Sequence, residues 1–187
     1  MNRQIATALS AVLVCTLMAV PSWGHLMVAQ KGTLRFEDER AYLVVSLPVS
    51  AFSGLDQDGD GGVTEREFDS HRTEVLAQVQ RTVSLQSSSG IIALTDILLS
   101  PETTHGAVPA DNHFRSGAAE SALVDQVTVL GIFPLGSSKD ELALSIELYG
   151  TAVDEQAYEM SVRTSQTAVR QVRLLTPQFS RAVLTDL

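Results

Sequence analysis

A single cysteine in 187 residues excludes two kinds of covalent or metal staple. The chain cannot close an internal disulfide, and it cannot build a cysteine-based zinc site. Basic residues are also few. Thirteen Lys+Arg stand against 22 Asp+Glu, a formal net charge of −9. A nucleic-acid binder usually carries a basic face, so this balance argues against one. Catalytic signatures are missing too. There is no Gly-x-Ser-x-Gly elbow, no His-Glu-x-x-His helix and no Gly-rich phosphate loop. The expectation is a protein that is not an enzyme. What the chain does have is an apolar fraction of 44%, enough for a packed core and too much for wholesale disorder.

The longest apolar run is Ile5–Val20, shorter than the roughly 20 residues a membrane-spanning helix needs. Arg3 precedes it, Pro21 ends it, and Ser22-Trp23-Gly24 gives the small-x-small pattern read by a signal peptidase. Residues 1–24 are therefore expected to be a cleavable signal peptide of bacterial type. The mature chain would be His25–Leu187, secreted or periplasmic, with no membrane span after cleavage. An uncleaved anchor is the alternative. Val14 is not the small residue that a lipoprotein site wants before Cys15. Cleavage would remove that cysteine, which suits an oxidising compartment.

The mature chain reads as one β-rich domain, residues 25–187, with an insertion at 49–85. Thr33–Phe36 and Ala41–Leu47 flank the charged stretch Glu37–Arg40 and predict a hairpin, closed by Pro48. Gln86–Gly90 reads as a flexible connector, and Ile91–Leu99 as one strand or two. Ser100–Glu120 holds Pro101, Gly106, Pro109 and Gly117, and is expected to be a long surface loop. Strands resume at Val127–Leu135. Leu142, Leu144, Ile146 and Leu148 then alternate with smaller or polar residues, the clearest period of two in the chain. Two more strands are expected near Tyr158–Arg163 and Val169–Leu175. About seven such strands predict a mainly β (α+β) fold, an antiparallel β-sandwich-like domain with an inserted helix-loop-helix.

The insertion carries the chemistry. Residues 56–67 read Asp-Gln-Asp-Gly-Asp-Gly-Gly-Val-Thr-Glu-Arg-Glu. Alternate acids in a tightly turning loop can aim oxygens at one centre, and Gly61 permits a sharp turn. Phe52 and Leu55 precede the loop. Phe68, Val75, Leu76, Val79 and Val83 follow at helical spacing, and Thr64-Glu65-Arg66-Glu67 reads as a capping box.

This segment resembles the calcium-binding loop of the EF-hand family across all its positions. The resemblance implies a Ca2+ ion held by the side chains of Asp56, Asp58 and Asp60 and the backbone carbonyl of Gly62. Thr64 would join them directly or through water, and Glu67 with both carboxylate oxygens. Three departures from the family pattern matter. Between Pro48 and Asp56 there is room for an entering helix of two turns at most. No second loop is present for pairing, so Val63, at the position where such loops join, is expected to dock on the strand body or on a second chain as a homodimer. No Met-rich groove exists for a target peptide. Calcium is therefore expected to brace the fold.

Two other readings remain open in the sequence. If His25 becomes the N-terminus, its amine and ring can chelate copper, completed by His105 or His113 near Asp111, as a periplasmic copper-binding protein would. A calcium-dependent adhesion or assembly module is the second. His71 reads as a solvated or half-buried helix residue. Asp125, Asp140, Glu141, Asp154 and Glu155 border strands and read as turn-solvating acids.

Overall fold

A computed structural model describes residues 30–104, 122–136, 141–164 and 171–184. The expected signal peptide, residues 1–24, and His25, His105, Asp111, His113 and Asp140 lie outside the described residues. The described chain is mainly β. Ten strands form two sheets: β1 Gln30–Glu37, β2 Arg40–Pro48, β3 Val83–Ser87, β4 Gly90–Ala93, β5 Thr95–Thr104, β6 Leu123–Pro134, β7 Leu142–Ile146, β8 Tyr158–Thr164, β9 Gln171–Leu175 and β10 Arg181–Leu184. Two α-helices, α1 Glu65–Ser70 and α2 Arg72–Thr82, lie between β2 and β3. Among the described residues no helix is long and apolar enough to cross a membrane.

The six-stranded sheet runs β5-β6-β2-β1-β8-β9 and the four-stranded sheet runs β10-β7-β3-β4. Strand periodicity explains which side chains go inside. Along β2, Ala41, Leu43, Val45 and Leu47 are buried, while Tyr42, Val44 and Ser46 turn outward. The predicted hairpin is β1–β2, with Glu37 paired to Arg40, and Asp38 takes the left-handed conformation that its short polar side chain tolerates. One apolar cluster unites both sheets and both helices. Leu34, Leu43 and Phe133 come from the large sheet, Leu85, Leu144 and Ile146 from the small one, and Phe68, Val75 and Val79 from the helices.

Several details differ from the sequence expectation. β1 and β8 pair in parallel, because β8 joins the large sheet only after the chain has left it to build β7 of the small one. Ser100–Thr104 is not loop but the second half of β5. Pro101 is tolerated there because β5 is an edge strand. The Gln86–Gly90 connector is a tight turn, with Ser87 paired to Gly90. Residues 91–99 span two strands in different sheets, and β10 carried too short a pattern to be read. In β7 the alternation does not mark a half-exposed strand. Ala143 and Ser145 are buried with their neighbours, as small side chains allow in a central strand.

The crossing between sheets occurs at Leu94, which is almost wholly buried. Its side chain fills the space above Gly131 of β6, where a Cβ would stand 2.7 Å from Leu94 Cγ. Gly131→Ala is therefore expected to destabilise the fold by about 1–3 kcal/mol through overpacking, and Leu94→Ala by about 2–5 kcal/mol through a cavity. In denaturant unfolding the double variant should lose less than the sum of the two. Strict additivity would show that the two residues do not share one space.

Candidate metal centre

The chain leaves β2 at Pro48 and enters a single 3-10 turn, Val49–Ala51. This corrects the expected entering helix. Pro48 and Phe52 are both extended, and Gly54 has a positive φ of 79°. No second helical turn fits between them. The short turn is anchored instead. Phe52 and Leu55 are buried in the core, and Ser50 Oγ donates to Glu155 Oε2 at 2.5 Å.

The loop then winds around its own acids. Asp56 Oδ1 accepts from the Gly59 N–H at 2.7 Å, and Oδ2 from the Gly61 N–H at 3.1 Å. Asp58 Oδ1 accepts from the Asp60 N–H at 3.2 Å, and Asp60 Oδ1 from the Gly62 N–H at 2.9 Å. Gly61 has the expected positive φ, 91°, and Gly59 takes one of 74°. With these turns, oxygens of Asp56, Asp58 and Asp60 lie within 4.8 Å of one another, facing solvent. Three such carboxylates form a group that can hold a metal ion.

Glu67 is not in that group. It is N3 of α1, and Thr64 is the N-cap. The predicted capping box forms: Thr64 Oγ1 accepts from the Glu67 N–H at 3.3 Å, while Glu67 Oε2 accepts from the Thr64 N–H at 2.9 Å and from its hydroxyl at 2.8 Å. Glu67 Oε1 accepts from the Gln57 N–H at 3.0 Å, which ties the two ends of the loop together. These donors hold the Glu67 carboxyl down at about 2, chiefly the Thr64 backbone N–H, then that of Gln57, then the Thr64 hydroxyl.

Beyond the loop the expected continuous helix is broken at His71, whose backbone leaves the helical region at ψ 14°. Its Nδ1 lies 2.8 Å from the Glu67 carbonyl and its Nε2 lies 2.9 Å from the Gln57 amide. The imidazole thus links a helix carbonyl to the loop residue Gln57. α2 ends at Thr82. Val83 and Leu85, expected on the exiting helix segment, alternate inward on β3 opposite Ile146 and Leu144.

Val63 docks on the strand body. Its carbonyl accepts from the Val124 N–H at 2.8 Å, Thr64 forms an antiparallel bridge with Leu123, and the Val63 side chain is buried. A Cβ on Gly62 would stand 2.8 Å from Leu123 Cδ2. The loop, the entering turn and the start of β6 enclose a cleft of about 300 Å³ with Phe52, Leu55, Val63 and Val124 in its wall. Leu123 and Val124 were not found from the sequence. They lie some sixty residues from the loop, and nothing local marks them.

The grouped donors are oxygens only, the carboxylates of Asp56, Asp58 and Asp60. Hard cations prefer such a set. A comparison with protein-family models finds no match for this chain, and a comparison with curated proteins finds no relative.

The capping box makes a pH prediction. A carboxyl depressed on folding contributes stability fully above its ordinary value near 4.5, and that contribution is lost as pH falls through about 2. Carbon-detected NMR should place the Glu67 midpoint near the lower figure. Thr64→Ala removes only the hydroxyl donor and keeps the backbone N–H groups of residues 57 and 64, so it should raise the midpoint only slightly, while lowering stability by about 1 kcal/mol through the lost cap. A midpoint already near 4.5 in the parent would contradict the geometry.

Proposed function

We propose that this is an exported calcium-binding protein in which residues 56–67 act as a single EF-hand-like loop bracing a β domain. The observation that carries the reading is the convergence of the Asp56, Asp58 and Asp60 carboxylates within 4.8 Å, held by backbone N–H groups of the loop itself. In this reading Gly62 adds its carbonyl, Thr64 adds an oxygen directly or through water, and Glu67 adds its carboxylate. Export rests on the apolar run Ile5–Val20 and the small residues at Ser22 and Gly24.

Calcium supplies a divalent charge that removes the mutual repulsion of the acids. The chain's part is to aim the oxygens and to limit the number of shapes the loop can take. Glu67 must exchange its hydrogen bonds with Thr64 and Gln57 for the ion, which offsets part of the binding free energy. A modest affinity suits an extracellular module, for which dissociation constants of about 10⁻⁴ to 10⁻³ M are usual. The geometry also supports a brace over a switch, since the entering turn is pinned to the core and to Glu155 and has no helix to swing.

Calorimetry should register binding of one calcium per chain. At a free concentration 100 times the dissociation constant, calcium should stabilise the fold by about 2.7 kcal/mol, a rise in melting temperature of roughly 5–10 °C. Asp56→Ala should abolish both effects. No heat at millimolar calcium, or an Asp56→Ala chain that melts like its parent with calcium and with chelator, would overturn the proposal.

A further inference from the structure

EF-hand-like loops ordinarily steady one another in pairs through the residue that is Val63 here, and this chain carries one such loop. The position is nevertheless filled. The Val124 N–H reaches the Val63 carbonyl at 2.8 Å, and Thr64 bridges to Leu123. We infer that the start of β6, Leu123 and Val124, serves as the loop's partner within one chain, and that Leu123 is a positioning residue that sets metal affinity. This rests on the calcium reading above.

The argument concerns the peptide that carries the Gly62 carbonyl. On its N-terminal side, the Gly62 N–H is bound to Asp60 Oδ1 at 2.9 Å. On its C-terminal side, Val63 is fixed twice, by its buried side chain and by the hydrogen bond from Val124. Leu123 lies against the Gly62 α-carbon itself, so close that any Cβ there would meet its methyls. A backbone donor has no rotamer of its own and points where its peptide plane is held. Leu123 packs against that peptide and Val124 fixes the one that follows it, and β6 is in turn paired along its length with β2 and β5. The loop is thus preorganised by the large sheet, through a carbonyl that a second copy of the chain would otherwise have to meet. Preorganisation raises affinity by reducing the ordering needed on binding.

Leu123 is a suitable probe because the residue is 41% exposed and lies outside the buried cluster, so shortening it leaves the core intact. Calcium calorimetry, sedimentation with and without calcium, and melting in chelator are to be run on the parent, Leu123→Ala and Leu123→Met. The parent should bind one ion per monomer and remain monomeric. Leu123→Ala should raise the calcium dissociation constant about tenfold, while its melting temperature in chelator stays within a few degrees of the parent. Leu123→Met, which refills the space beside Gly62, should bind within about threefold of the parent. Amide exchange gives a second readout: calcium should slow exchange at Val124 by about tenfold or more and leave β9 unchanged. A parent that binds calcium only as a dimer overturns the inference. So does a Leu123→Ala chain with unchanged affinity, or one whose affinity and chelator melting fall together without rescue by Met. In each case calcium binding itself stands. A parent that registers no calcium heat overturns the underlying reading and this inference with it.

Discussion

Like charges do not gather without something to hold them, and the loop at 56–67 gathers three. Each of the three aspartates is held by backbone N–H groups two, three or five residues ahead of it. Each hydrogen bond bends the chain around an acid, and each bend brings the next acid closer. The glycines at 59 and 61 make those bends possible by taking positive φ. The result is a surface loop whose backbone polarity is largely directed at its own carboxylates. Such an arrangement is partly self-defeating without a cation, because the hydrogen bonds that shape the loop also increase the repulsion within it. Everything else around the site limits how far that repulsion can open it.

The limits come from the β body. Phe52 and Leu55 anchor the loop's start, Val63 its middle and Phe68 its end, all four buried in one cluster. Ser50 is bound to Glu155, on the segment that leads into β8, so the entering turn is tied to the far end of the chain in sequence. Glu67 accepts from Gln57 across the base of the loop. A loop fastened at so many points has few alternative shapes. The ordering that a flexible loop would need when binding a metal is thereby largely complete on folding.

The sequence revealed the parts of this arrangement that are local. Alternating apolar residues in β2 and β8 reported real burial, and the capping box from Thr64 to Glu67 formed as read, because both depend on spacings of two to four residues. The acidic loop was legible for the same reason. What failed was non-local. Val83 fits a helical repeat with Val75, Leu76 and Val79, but it also fits a strand, and the pairing offered by Ile146 decided between them. Ser100–Thr104 looked like loop because Pro101 breaks most strands, yet an edge position removes that penalty. The break at His71 coincides with its side chain reaching the Glu67 carbonyl, a contact that no periodicity reports. Leu123 and Val124 were invisible as loop partners because their role exists only once β6 lies beside Val63.

These failures share a consequence for function. A helix-loop-helix free on both sides converts metal binding into motion, because the angle between its helices is soft. Here the entering helix is reduced to three residues, and the exiting one is split into a six-residue α1 and a longer α2. Phe68 and Val75, one on each helix, are wholly buried in the same cluster. Moving either helix would expose apolar surface at a cost of about 25 cal/mol per Å². In the calcium-binding reading proposed above, the free energy of binding would have one outlet, which is to resist opening of the loop and its separation from the start of β6. The departures from a free helix-loop-helix are thus the features that would turn a metal sensor into a brace.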